Sequence, residues 1–194
     1  MAGVAATLVA YACGGGAPAR QYASSPTAPV ASPGDQLPDL YLTVGDASAR
    51  GGKGSSCWPG LPCGDTVSVR TQKAPLSGVA GSTLFGRFSA SPLSSASVQA
   101  WYISDLPCDA TLLGQDPAAC GADQGPDGTW DWLYPALMAR LGDGRGLSAA
   151  VAQETLRVTL PSKPGLYVLS ILVQSTGNGS VDYGVLVDLL PISG

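Results

Sequence analysis

Alternation with period two is the feature that most limits what this chain can fold into. Leu40, Leu42 and Val44 alternate with Tyr41 and Thr43, and Val67 and Val69 with Ser68 and Arg70. Leu84 and Phe88 share one face of 83–90, and Val98, Ala100 and Tyr102 alternate with Gln99 and Trp101. Leu156, Val158 and Leu160 alternate with Thr155, Arg157 and Thr159, and the strongest runs are 165–174 and 181–190. Successive side chains of a strand point to opposite faces, so such runs, rich in β-branched and aromatic residues, read as half-buried strands. Between the last two, residues 175–180 (STGNGS) supply the Gly and Asn that accept positive φ at a hairpin turn. Seven strands and no long amphipathic helix predict an all-β fold. Two antiparallel sheets, each burying one face against the other, satisfy the pattern.

Composition removes several functions. The chain has 194 residues, 45% of them hydrophobic, which fits one domain with a sizeable core. Lys+Arg number 10 against Asp+Glu 14, a net charge of -4, so nucleic acid is not an expected partner. There is no His, which excludes Ser-His-Asp and Cys-His catalysis and His metal sites. No G-x-S-x-G or Walker loop occurs, and Gly51-Gly52-Lys53-Gly54-Ser55 lacks the preceding Gly of a phosphate loop. Glu154 is the single Glu and is read as the start of a strand, so nothing marks an acid/base couple. Asp123, Asp127 and Asp131 stand four apart in a Gly/Pro-rich stretch; they read as solvated carboxylates, with calcium as the alternative. No catalytic residue, metal or cofactor is expected.

Residues 2–12 are uncharged and apolar, too short to span a bilayer as a helix but fitting the apolar segment of a secretory signal. Ala10, Tyr11 and Ala12 lead into Cys13 and then three glycines. This resembles the lipobox of bacterial lipoproteins, in which the Cys is acylated and becomes the mature N-terminus. Ala10 stands where that pattern has Leu, and the first basic residue is Arg20. The resemblance implies lipidation at Cys13, a membrane partner through that lipid, and an extracytoplasmic, envelope location. Plain secretion, or an apolar strand with an ordinary free Cys, are the alternatives. The chain is thus expected to divide into a signal-like segment 1–12, a lipidation site and Gly/Ala/Ser/Pro tether 13–37, and a sandwich domain 38–194. Five Cys is an odd number; setting Cys13 aside leaves Cys57, Cys63, Cys108 and Cys120, an even set suited to two disulfides outside the cytoplasm. Neighbour pairing is favoured among the three connectivities. The x5 and x11 spacings argue against zinc.

The segment 161–169 places Tyr167 just after a Pro/Gly turn, with Leu169 two residues on. It resembles the tyrosine corner of immunoglobulin-like sandwiches, with Leu169 in place of a core Cys and Trp101 in place of the third-strand Trp. The resemblance implies a hydroxyl bond from Tyr167 back to the turn and an immunoglobulin-like fold without its inter-sheet disulfide. Residues 104–153 hold no clear strand and form a long insertion with one candidate disulfide. Pro135 and Gly142 bracket a short helix, and 147–153 are read as a further helical turn. Trp130, Trp132 and Tyr134 share one face if extended, and act either as a mini-core or as a ligand-binding platform. The expected function is a non-catalytic binding or envelope-structural module whose partner is an envelope protein or a glycan. Its rivals are a carbohydrate-binding module using those three rings, a protease inhibitor presenting 57–63, and a hydrolase using Asp residues of the insertion.

Overall fold

The two longest strands organise everything else. The computed structural model describes residues 37–192 except Ser91 and Pro107; Cys13, segment 1–12 and the tether as far as residue 36 lie outside the described residues. Strands β13 (Gly165–Ser175) and β14 (Ser180–Leu190) form a hairpin whose turn holds Asn178 at φ 62, the left-handed conformation that the sequence anticipates there. On one side β13 pairs with β7 (Leu93–Tyr102), which carries β10 (Arg145–Leu147). On the other, β14 pairs with β3 (Gly52–Cys57) at its start and, in parallel, with β5 (Leu76–Val79) at its end. A second sheet runs β11 (Ala149–Ala152), β12 (Thr155–Thr159), β6 (Thr83–Phe88), β1 (Leu40–Val44) and β2 (Ala47–Arg50). All its pairings are antiparallel. The fold is the expected all-β, antiparallel sandwich. All seven anticipated runs are strands, and the shorter ones fill in around them.

The main core lies between these sheets. Leu40, Leu42, Leu84, Leu156 and Val158 from one sheet meet Leu169, Ile171, Tyr183, Val185 and Val187 from the other, all essentially inaccessible. Leu37 joins this core.

A third layer covers the outer face of the central sheet. Strands β4 (Ser68–Gln72), β9 (Thr129–Leu133) and β8 (Ala122–Gln124) form a small antiparallel sheet. With α1 (Ala110–Gln115), α2 (Pro117–Cys120) and α3 (Tyr134–Leu141) it encloses a second core containing Trp101, Trp130, Trp132, Leu166, Val168 and Leu186. β13 and β14 are therefore covered on both faces, which explains why their runs are almost continuously apolar rather than cleanly alternating. Trp101 is buried, but in this second core, and its Nε1 donates to the Gly142 carbonyl at 3.1 Å. It does not occupy the inter-sheet position that the immunoglobulin resemblance implies.

The insertion is thus more ordered than its sequence indicates. Asp109 and Asp116 cap α1 and α2 through their side chains, and Cys108–Cys120 closes across both helices. The segment 147–153 is strand rather than helix, because β11 pairs with β12 and alternates its small side chains in and out. Glu154 lies in the turn between them.

The turn before β13 is closed by two tyrosine hydroxyls. The Tyr167 hydroxyl donates to the Lys163 carbonyl at 2.9 Å, and the Tyr102 hydroxyl to the Pro164 carbonyl at 3.0 Å. Burial, with Tyr102 alongside, pushes the Tyr167 hydroxyl up to about 12, so it stays a donor. Gly165 follows at φ 132, where a Cβ would meet the Tyr102 ring at 2.5 Å. Tyr167→Phe is expected to destabilise the fold by about 1 kcal/mol, the net worth of one such bond. A urea midpoint identical to the parent's would show that the bond is idle.

Candidate functional site

The outer face of the central sheet changes character along its strands. On β13 it reads Leu166, Val168, Ser170, Leu172; on β14, Leu186, Gly184, Asp182 in the neighbouring register. The apolar end lies under the third layer. At Gly184 the β4 backbone crosses in close contact, since a Cβ there would lie 2.0 Å from the Arg70 carbonyl oxygen. Beyond that crossing the cover ends, and a cleft of about 510 Å³ opens on the polar end of the face.

Ser170, Asp182 and Tyr134 meet at the cleft floor. Ser170 Oγ donates to Asp182 Oδ1 at 2.8 Å and Tyr134 Oη to Asp182 Oδ2 at 2.9 Å, with the two hydroxyls 2.8 Å apart. Ser170 and Asp182 are each 6% exposed. Tyr134 opens α3; its ring packs edge-on against Trp101 at 5.7 Å, which fixes where the hydroxyl points. Burial and the Asp182 charge push the Tyr134 hydroxyl well above its ordinary value, although the Ser170 bond works the other way. It is a neutral donor and acceptor, not a base.

One wall is the segment after the first disulfide. Ser55 Oγ donates to Asp65 at 2.9 Å and accepts from the Thr66 amide at 2.9 Å. Val67, Pro135 and Leu172 supply an apolar rim, and Ser97 and Gln99 extend the floor. No Lys or Arg lines the cleft. With both hydroxyl protons available to Asp182, the Tyr134–Ser170–Asp182 cluster keeps acceptor capacity in its hydroxyl lone pairs and the carboxylate's remaining sites, while Ser97 and Gln99 add donors as well as acceptors. The cluster can receive N–H or O–H donors.

The residues singled out from sequence distribute unevenly. Tyr134 is in the site. Trp130 and Trp132 are not: they are 5% and 0% exposed and form the centre of the second core. The platform reading is thereby corrected, because β9 turns both indoles onto the central sheet, and Trp132 Nε1 donates to Thr71 Oγ1 at 3.0 Å. Cys57–Cys63 and Cys108–Cys120 pair as neighbours. In the 57–63 loop Trp58 and Leu61 pack back against the main core, while Pro59, Gly60 and Pro62 are exposed. Asp131 is held by Arg70 through two contacts of 2.8 and 3.2 Å, so it is engaged structurally. Ser170 and Asp182 escape notice in the sequence, yet each is a polar residue inside an apolar strand run, which was the available signal.

No protein-family model matches the chain, and no curated protein or solved structure matches it.

Proposed function

We propose that the protein is an extracytoplasmic binding module of the cell envelope, lipid-anchored through Cys13, whose cleft recognises a ligand without chemically altering it. Two disulfides support the oxidising address. The observation that carries the binding reading is the Tyr134–Ser170–Asp182 cluster, a buried polar group fixed by its own bonds and opening into a cavity. Such preorganisation favours recognition, because little ordering remains to be done when a donor group arrives. Two carboxylates, Asp65 and Asp182, with no Lys or Arg in the lining, favour a ligand that carries a primary amine. Immunoglobulin-like ancestry, supported by the Tyr167 corner, is part of the same proposal.

Titration calorimetry with cadaverine tests the cleft. We expect saturable binding to the full chain, a tenfold or larger loss in Asp182→Asn, and a smaller loss in Tyr134→Phe. Equal affinity in Asp182→Asn, with an unchanged melting curve, would remove the site. The anchor is tested separately: palmitate should label the exported parent and not Cys13→Ala, and label persisting in that variant would defeat lipidation at Cys13.

A further inference from the structure

The five-stranded sheet turns its other face outward, and that face is unlike the rest of this acidic chain. Tyr41 and Phe85 are 52% and 48% exposed there. The register sets Tyr41 opposite Arg87 and Thr43 opposite Phe85 across β1 and β6, then Arg87 opposite Thr155 and Phe85 opposite Arg157 across β6 and β12. Two flat rings therefore lie on a diagonal about 7–8 Å long, each flanked by an exposed guanidinium and a threonine. The Arg157 guanidinium sits 5.5 Å from the Phe85 ring centre. Arg87 and Arg157 make no ion pair among the described residues.

Charge points the same way. At the β2 edge, Arg50 and Lys53 both pair with Asp39. Burial works to raise the Asp39 carboxyl, but these two cations outweigh it and hold it below the usual range. The charged side chains that face outward on the five strands are Arg50, Arg87 and Arg157, on a molecule of net charge -4; Glu154 and Asp46 stand in the β11–β12 and β1–β2 turns at the ends of the sheet. Shallow depressions of about 540 and 350 Å³ flank the rings, the first at Tyr41 and Arg87, the second at Phe85 and Arg157.

We infer that this face is a binding surface for an anionic polysaccharide whose sugars carry carboxylates. Flat rings stack on sugar faces, and Arg pairs bidentately with carboxylates. No large aliphatic side chain faces outward on β1, β2, β6, β11 or β12, so the face lacks the apolar anchors of a protein-docking core. The inference is independent of the cleft, which lies on the other side of the sandwich and has the opposite charge preference.

Affinity electrophoresis of the full chain in gels containing sodium polygalacturonate tests it, with dextran and poly-glutamate gels as comparisons. Retardation by polygalacturonate alone is expected, weakened by salt. Arg87→Gln/Arg157→Gln and Tyr41→Ala/Phe85→Ala should each lower affinity at least tenfold; all four side chains are exposed, and melting curves check the fold. Three results would overturn the inference. The chain could migrate equally with and without polygalacturonate, dextran or poly-glutamate could retard it equally, or both double variants could migrate like the parent.

Discussion

Replacing Gly184 by Ala will loosen the third layer from the sandwich. Gly184 on β14 and Gly52 on β3 are paired across the central sheet, and β4 crosses directly above them. A Cβ at Gly184 would stand 2.0 Å from the Arg70 carbonyl oxygen, and one at Gly52 would stand 2.2 Å from the same atom. The obstacle is backbone, so no rotamer relieves it; β4 must lift. Lifting it strains the two bonds by which the Gln72 side chain grips Leu186, to its carbonyl at 2.8 Å and from its amide at 3.3 Å. It also disturbs the indole bond of Trp132 to Thr71 on β4. Overpacking of this kind costs about 1–3 kcal/mol and occasionally more; here the upper end is expected. Trp101, Trp130 and Trp132 all lie in the affected core, so emission should shift to longer wavelength as water reaches them. Gly114→Ala is the matched control. It lies in α1 with nothing within 4 Å of its Cβ position, and should be neutral or gain up to about 1 kcal/mol. A parental midpoint and emission spectrum for Gly184→Ala would mean that the layers are not in contact as described.

That crossing also shows what the sequence could and could not disclose. The sandwich was legible because burial on one face imposes period two, and β1, β6 and β12 follow it residue by residue. The Tyr167 corner was legible because Pro164 and Gly165 mark the turn and one hydroxyl closes it. The third layer was not: β4 was legible as a strand but not as part of a separate sheet, β8 has only three residues, and the aromatic run of β9 was read as a mini-core or a platform rather than as a strand. Its signature lay elsewhere, in the doubly apolar runs of β13 and β14, whose second face needed a cover. Gly51-Gly52-Lys53-Gly54-Ser55 was weighed only as a phosphate loop, whereas Gly52 serves a close backbone approach. The arginine-bearing face was hidden by averaging: a net charge says nothing of how a sheet sorts its cations onto one side. The cleft required tertiary knowledge of a different kind. Tyr134 and Asp182 are 48 residues apart and meet only because α3 starts where β9 leaves the sheet.

Trp132→Ala is expected to cost about 3–5 kcal/mol, the range for emptying a buried aromatic site. The ring is fully inaccessible, and its removal also strips Thr71 Oγ1, itself 0% exposed, of its partner. The more informative result is the shape of the transition. If the third layer were an appended unit, losing Trp132 would melt it first and leave the sandwich standing, as happens when parts of a protein open independently. The structure argues otherwise. Leu166, Val168 and Leu186 fill the second core while Tyr167, Leu169, Val185 and Val187, their immediate neighbours on the same two strands, fill the first. One hairpin thus serves both cores, and neither can lose its packing without exposing the back of the other. Urea unfolding of Trp132→Ala should therefore remain a single transition at a lower midpoint. Far-ultraviolet circular dichroism, which follows the sheets, should coincide with fluorescence measured in a Trp58→Phe background, where Trp101 and Trp130 follow the second core. Fluorescence that changes well before the dichroism would establish the third layer as a separate cooperative unit, and the shared hairpin would then be a contact without energetic coupling.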